Sequence, residues 1–239
     1  MKKSSILALV ALLSFSLSQA QWNKVKGNGK VTTEHRTTSD YHTVLCAGSF
    51  DYVLVSGTEG KITVEGESNL LQYIITEVKD GKLVIKTEKG KSISPSRNET
   101  IKITIPFQDL DKVSLSGSGD LWSEDTISAN DLEVSLSGSG DVILDVKTKS
   151  VSGKVTGSGD VTLKGSTTNL TARVTGSGDF HGFDLNSVHT NVAITGSGDA
   201  KVVCNGEFTA RVTGSGDIEY RGKPTSHDAK VSGSGSIEN

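Results

Sequence analysis

The sequence predicts an all-β protein: a parallel β-helix of about seven rungs of roughly 19 residues, preceded by a strand-rich N-terminal section. Three observations predict it. First, a hydrophobic residue, a Ser or Thr and Gly-Ser-Gly-Asp recur at Gly117, Gly138, Gly157, Gly176, Gly196 and Gly214, with a last copy reading Gly233-Ser-Gly-Ser236. Successive copies are 21, 19, 19, 20, 18 and 19 residues apart, the fixed period of a stacked solenoid. Second, apolar and polar residues alternate with period two on both sides of each copy, which is strand geometry. Third, a helical period is nearly absent.

The elements follow in chain order. Lys2 and Lys3, the apolar run Ile6 to Leu17 and Ser18-Gln19-Ala20 have the form of a secretory signal over residues 1–20. The apolar run is too short for a membrane span, and no later segment approaches one. No Cys follows the cleavage site, so no lipid anchor is expected. The short basic start reads as bacterial, with export to the periplasm, the outer-membrane surface or the medium. Residues 21–40 are polar and read as a loose lead-in with one edge strand.

The main domain is expected over 41–239, with a strand-rich part at 41–110 and the repeat at 111–239. Strands are expected at Thr43–Ala47, Tyr52–Ser56, Lys61–Glu65, Ile74–Lys79, Lys82–Thr87 and Ile101–Ile105. Asp80-Gly81 joins two alternating runs, a hairpin signal. A single helical turn fits Ser68–Gln72. Glu88 to Glu99 reads as a polar loop, and Pro106 as the end of its strand.

Within the repeat, aligned columns are apolar. Leu115, Leu136, Val155, Val174, Ile194, Val212 and Val231 stand just before the Ser or Thr. Val113, Val134, Gly153, Ala172, Val192, Ala210 and Ala229 stand two residues earlier. Leu121, Val142, Val161, Phe180, Ala200, Ile218 and Ile237 follow the Asp position. Each rung therefore reads as strand, tight corner, strand and looser return, with these columns stacked inside. At the strand spacing of about 4.8 Å, seven rungs span roughly 30 Å. Right-handedness follows from the usual crossover preference. Gly supplies corner angles that other residues avoid, and Asp accepts hydrogen bonds from corner amides. Ser and Thr hydroxyls are placed to form ladders between rungs. The polar ending Ile237-Glu238-Asn239 reads as a cap on the open sheet edge.

The Gly-Ser-Gly-Asp array resembles the head GIN domain family of bacterial exported proteins, an auto-transporter adhesin type. Phe50-Asp-Tyr-Val-Leu-Val-Ser-Gly57, Glu67-Ser-Asn-Leu-Leu71 and Asp80-Gly-Lys-Leu-Val-Ile85 are similar to that family's N-terminal half. The resemblance covers about residues 40–239. It implies a β-helix-like fold, an origin typical of Bacteroidota and no established catalytic residues.

Composition narrows the function classes. The chain carries 25 basic and 28 acidic residues. Removing residues 1–20 takes two Lys, so the mature charge is 23 − 28 = −5. Binding driven by phosphate neutralisation, and so a nucleic-acid partner, is not expected. Cys46 and Cys204 lie 158 residues apart and read as buried thiols, with a disulfide as the alternative in an oxidising compartment.

Two columns are candidates for chemistry. Asp120, Asp141, Asp160, Asp179, Asp199 and Asp217 form a row along one edge. Turn capping is the leading reading, and a Ca2+ row the alternative; one Asp per rung is sparse for an ion that takes six to eight oxygens. Lys154, Arg173, Arg211 and Lys230 point outward, interrupted by Ala193. Such a row either solvates a sheet or follows an acidic polymer. Trp122 either stacks on a sugar ring or packs under a loop. His181 and His189 flank Phe183, with too few neighbouring ligands in sequence to define a metal site.

The repeated acids read as structural, because an active site needs a unique cluster. Glu124, Asp125 and Asp131, in the 121–137 insertion, form the one irregular acidic group. No nucleophile elbow, phosphate loop or zinc motif appears, and no cofactor is expected. The reading is an exported, non-enzymatic binding or adhesion module presenting repetitive faces to a glycan, envelope lipid, envelope polymer or surface protein. The alternatives are a structural envelope protein that self-associates through its sheet ends, and a carbohydrate-active β-helix enzyme.

Overall fold

The computed structural model describes residues 24–239. The expected signal segment and Trp22 lie outside the described residues. The chain is a β-solenoid in which nearly all strands join one 19-stranded sheet that wraps round a single core. Among the described residues, no helix is long and apolar enough to cross a membrane.

Each rung has one strand entering the Gly-Ser-Gly corner and one leaving it. Entering strands pair parallel in strict register: Val113 beside Val134, Leu115 beside Leu136, Gly117 beside Gly138. Leaving strands do the same, with Val142 beside Val161 and Leu144 beside Leu163. The strands Val142–Gly157 and Val161–Gly176 run unbroken from one corner to the next. The three apolar columns face inward, and from Val113 to Ile218 nearly every member is buried. Burying such side chains contributes about 1.5–3 kcal/mol each. One exception compensates another: Gly153 leaves the space that the Phe180 ring fills, since a Cβ there would stand 2.5 Å from the ring. Hydroxyl ladders form as expected, Ser135 to Ser114 at 2.9 Å and Thr148 to Thr167 at 2.9 Å.

The corners explain the repeated word. The first glycine of every copy has φ between 120° and 142°, a region closed to other residues. Its carbonyl accepts two amides from the next rung; Gly117 O, for instance, takes Ser139 N at 2.9 Å and Gly140 N at 3.3 Å. Both glycines lie so close to the rung before that a Cβ would overlap a backbone oxygen, that of Gly117 at Gly138 and of Gly119 at Gly140.

Stacking also reveals an eighth corner. Gly48-Ser49-Phe50-Asp51 sits in register with Gly117-Ser-Gly-Asp120, through Thr43–Gly48 beside Lys112–Gly117 and Tyr52 beside Leu121. Phe50 replaces the second glycine here. A Cβ at that position points to the preceding rung, and this corner heads the column, so a side chain is admitted and is buried.

The 68 residues between Gly48 and Gly117 build the N-terminal cap. Asp51–Ser56, Lys61–Glu67, Ile74–Lys79, Lys82–Thr87 and the single turn Ser68–Leu71 fall where expected. Lys102–Phe107 runs through Pro106, which was expected to end it. The antiparallel partner Lys61–Glu67 pairs only with Lys102 to Thr104, so the missing amide of Pro106 breaks no hydrogen bond on that side. The lead-in is less loose than expected. Val31–Thr37 pairs antiparallel with Lys61–Glu67 along its whole length. Lys24–Lys26 forms a two-stranded parallel sheet with Ser92–Ser94, inside the segment read as a loop. Buried Glu67 ties these pieces together by accepting Ser96 N at 2.7 Å, Ser96 Oγ at 2.6 Å and the Gly29 amide. Arg36 closes the helical turn by donating to Leu71 O at 2.8 Å and Ile74 O at 2.5 Å.

At the other end, Ser226–Gly233 is exposed along its length, including Val231 of the inward column. Cys46 and Cys204 are separate, buried free thiols. Burial pushes the Cys46 pKa up, so its inert thiol behaves as a small apolar residue.

Candidate functional site

The entering strands present one outward face, which is indented over the first rungs. A groove of about 660 Å3 opens there. Its walls come from three sequence-distant places: His42 and Lys82 in the cap, Asp111 and Lys112 at the start of the repeat, and Asp131, Glu133 and Lys154 on the next two rungs. Register makes this possible, because Lys112 lies beside Glu133 and Thr43 beside Lys112.

The polar groups are ordered. His42 Nδ1 lies 2.7 Å from Asp111 Oδ2, and the Thr43 hydroxyl donates to Asp111 Oδ1 at 2.8 Å. Glu133 Oε1 stands 3.2 Å from both Lys112 Nζ and Lys154 Nζ. Partial burial raises the Glu133 pKa, but hydrogen bonds from the two lysines outweigh it and hold the carboxyl below its ordinary value. The groove thus offers fixed charges of both signs with the Thr43 hydroxyl held on Asp111, an arrangement suited to a polar ligand with several hydroxyl or carboxylate groups.

The structure separates the predicted site residues. Lys154 lines the groove and Arg173 stands exposed beside it in register. Arg211 is paired with Asp228, and Lys230 lies exposed on the last described strand. Trp122 is on a leaving strand, between Val53 and Ile143, with Lys102 Nζ 6.0 Å from its ring centre. It therefore belongs to a different face from the basic column.

The aspartate row forms a ladder. Asp120 Oδ1 accepts Asp141 N at 3.1 Å, and Asp141 Oδ1 accepts Asp160 N at 3.1 Å. Asp160, Asp179 and Asp199 continue it at 2.8, 2.7 and 2.8 Å, and Asp217 accepts Ser236 N at 2.6 Å. One oxygen of each carboxylate thus caps the following corner. The irregular acids disperse: Asp125 accepts Ser56 N at 2.7 Å, while Asp131 lines the groove.

Sequence reasoning missed His42 and Asp111 as partners. They are 69 residues apart. The available signal was Gly48-Ser49-Phe50-Asp51, which would have set Thr43 beside Lys112.

The profile of the family described as "putative auto-transporter adhesin, head GIN domain" matches residues 40–224. The chain belongs to the head GIN domain family. Its fold is shared by a putative adhesin of Bacteroides fragilis, at 24% identity and a TM-score of 0.80, covering 90% of this chain and 99% of that one. A putative lipid binding protein of Parabacteroides distasonis is similar at 26% identity and a TM-score of 0.73, covering 90% and 98%. A putative adhesin of Parabacteroides merdae follows at 23% identity and a TM-score of 0.69, covering 90% and 98%. Among curated proteins no match is found.

Proposed function

We propose that this head GIN chain is an exported, non-enzymatic binding module of the adhesion type. Its ligand is a polar envelope polymer, a glycan with acidic groups being the best fit, held along the outward face of the entering strands. The observation that carries the reading is the groove spanning the cap and the first rungs, with Lys112, Glu133 and Lys154 held in fixed geometry. Arg173 extends the face by one rung. The names borne by the similar proteins of Bacteroides and Parabacteroides, adhesin and lipid binding, agree with capture of an envelope component. The overall negative charge does not oppose this, because a local cluster on a sheet face sets the field at contact range. The Asp row acts in this reading as corner caps.

The test is a glycan and envelope-lipid array with residues 21–239, run with calcium and with chelator. Binding to acidic glycans that falls with salt and drops several-fold in Lys154→Ala/Arg173→Ala supports the reading. Binding confined to lipid moves the ligand class to headgroups. Calcium-dependent binding promotes the Asp row to ligands. A blank array overturns the proposal.

A further inference from the structure

One place among the described residues gathers three metal-ligating side chains: Asp160, Asp179 and His181 offer ligand atoms that all lie within 4.8 Å of one another. Asp160 Oδ2 and His181 Nε2 are 3.7 Å apart. The site joins two rungs, Asp160 from one and Asp179 with His181 from the next. The same register position carries Trp122, Ile143, Thr162, Lys201 and Glu219 on other rungs, so the repeat makes this trio only here.

The two carboxylates are already oriented. Asp160 Oδ1 is held by Asp179 N at 2.8 Å, and Asp179 Oδ1 by Asp199 N at 2.7 Å. Each therefore has its second oxygen free, and the ladder bond fixes where it points. Such outer contacts are what tune and hold metal ligands. Neither Asp has a Lys or Arg ion pair among the described residues; the one recorded charge partner is His181.

We propose that Asp160, Asp179 and His181 form a binding site for one divalent first-row transition ion, with Zn2+ as the fitting probe. One imidazole with two carboxylates suits such an ion better than Ca2+, which prefers an all-oxygen shell. Ligands at about 2.0–2.2 Å in a tetrahedron stand roughly 3.3 Å apart, so the trio closes by a rotamer-scale adjustment. Three protein ligands leave a position open to water or to a ligand's oxygen. This site lies at two corners and the start of a leaving strand, outside the residues that line the groove, and does not depend on the function proposed above.

The test is calorimetric titration of tag-free residues 21–239 with Zn2+ at pH 7.5, alongside thermal unfolding with and without the ion. One saturable equivalent is expected, with a rise in melting temperature. His181→Gln and Asp160→Asn should each weaken that equivalent at least about tenfold while circular dichroism stays that of the wild type. No saturable Zn2+ binding, or equal binding by both variants, overturns the site. Equal binding would place the ion at another histidine, such as His42 or His189.

Discussion

The corner at Phe50 and the corners behind it show how one backbone shape makes different demands in two regions. Within the repeat, each corner packs its glycines against the carbonyls of the rung before, and no side chain fits. At the head of the column no glycine corner precedes: Lys82–Thr87 and Lys102–Phe107 flank its two strands, and Phe50 buries an aromatic ring there instead. The repeat is thus held by backbone register and small columns. The cap is held by large side chains, antiparallel pairs and a buried carboxylate. The lesson is that the repeated word encodes contact with a neighbour, and that it relaxes where the neighbour is missing.

The largest expected effect tests that contrast directly. Gly140→Ala should cost more than about 4 kcal/mol, because the new Cβ meets the Gly119 carbonyl and backbone must move. A melting temperature lowered by on the order of 10 °C, or no folded protein, is the expected readout. Retention of wild-type stability would break the comparison.

Phe50 should respond only as a core residue. Phe50→Ala should cost about 3–5 kcal/mol and Phe50→Leu under about 1.5 kcal/mol in denaturant unfolding. A Phe50→Gly chain more stable than wild type would show that the head corner also demands glycine.

A smaller effect belongs to the ladder. Asp141→Ala should cost about 1–2 kcal/mol by leaving Asp160 N uncapped, while Asp141→Asn, which retains an acceptor, should lose clearly less. Equal losses would mean that the carboxylate charge, and not the corner bond, is what stabilises the rung.

The smallest effect distinguishes the cap by pH. The Ser96 hydroxyl, with the Ser96 and Gly29 amides, outweighs burial and holds the Glu67 carboxyl below the usual range. A lowered folded-state pKa contributes stability above the unfolded value of about 4.3 and loses it as pH falls through the folded value. Glu67→Gln should therefore flatten the acid limb of stability against pH. Amide exchange should show the change at Lys24–Lys26 and Ser92–Ser94 and leave the repeat unmoved.

Much of this was legible in the residues because it is local. Period-two alternation, Asp80-Gly81 and the turn at Ser68 each act within a few residues, and the strands follow. The seven spelled corners were legible because the word repeats intact. The eighth was not, since Phe50 and a spacing of 69 residues to the next corner hide it from any period. Pro106 inside a strand was unreadable for a related reason: the cost of a missing amide depends on where the antiparallel partner stops. Of the candidate site, Lys154 and Arg173 were visible as a column. The groove they border was not, because His42 and Asp111 meet only through register.

The stacked architecture, the inward columns and the corner chemistry follow from local pattern alone, since each depends on a repeated motif that neighbouring rungs must satisfy identically. Which irregular residues meet was settled by the folded register. It put His42 on Asp111, shared Glu133 between two lysines, set His181 over two aspartates and sent Trp122 to another face. Those meetings depend on how many residues each excursion inserts between rungs, and alternation carries no record of that number.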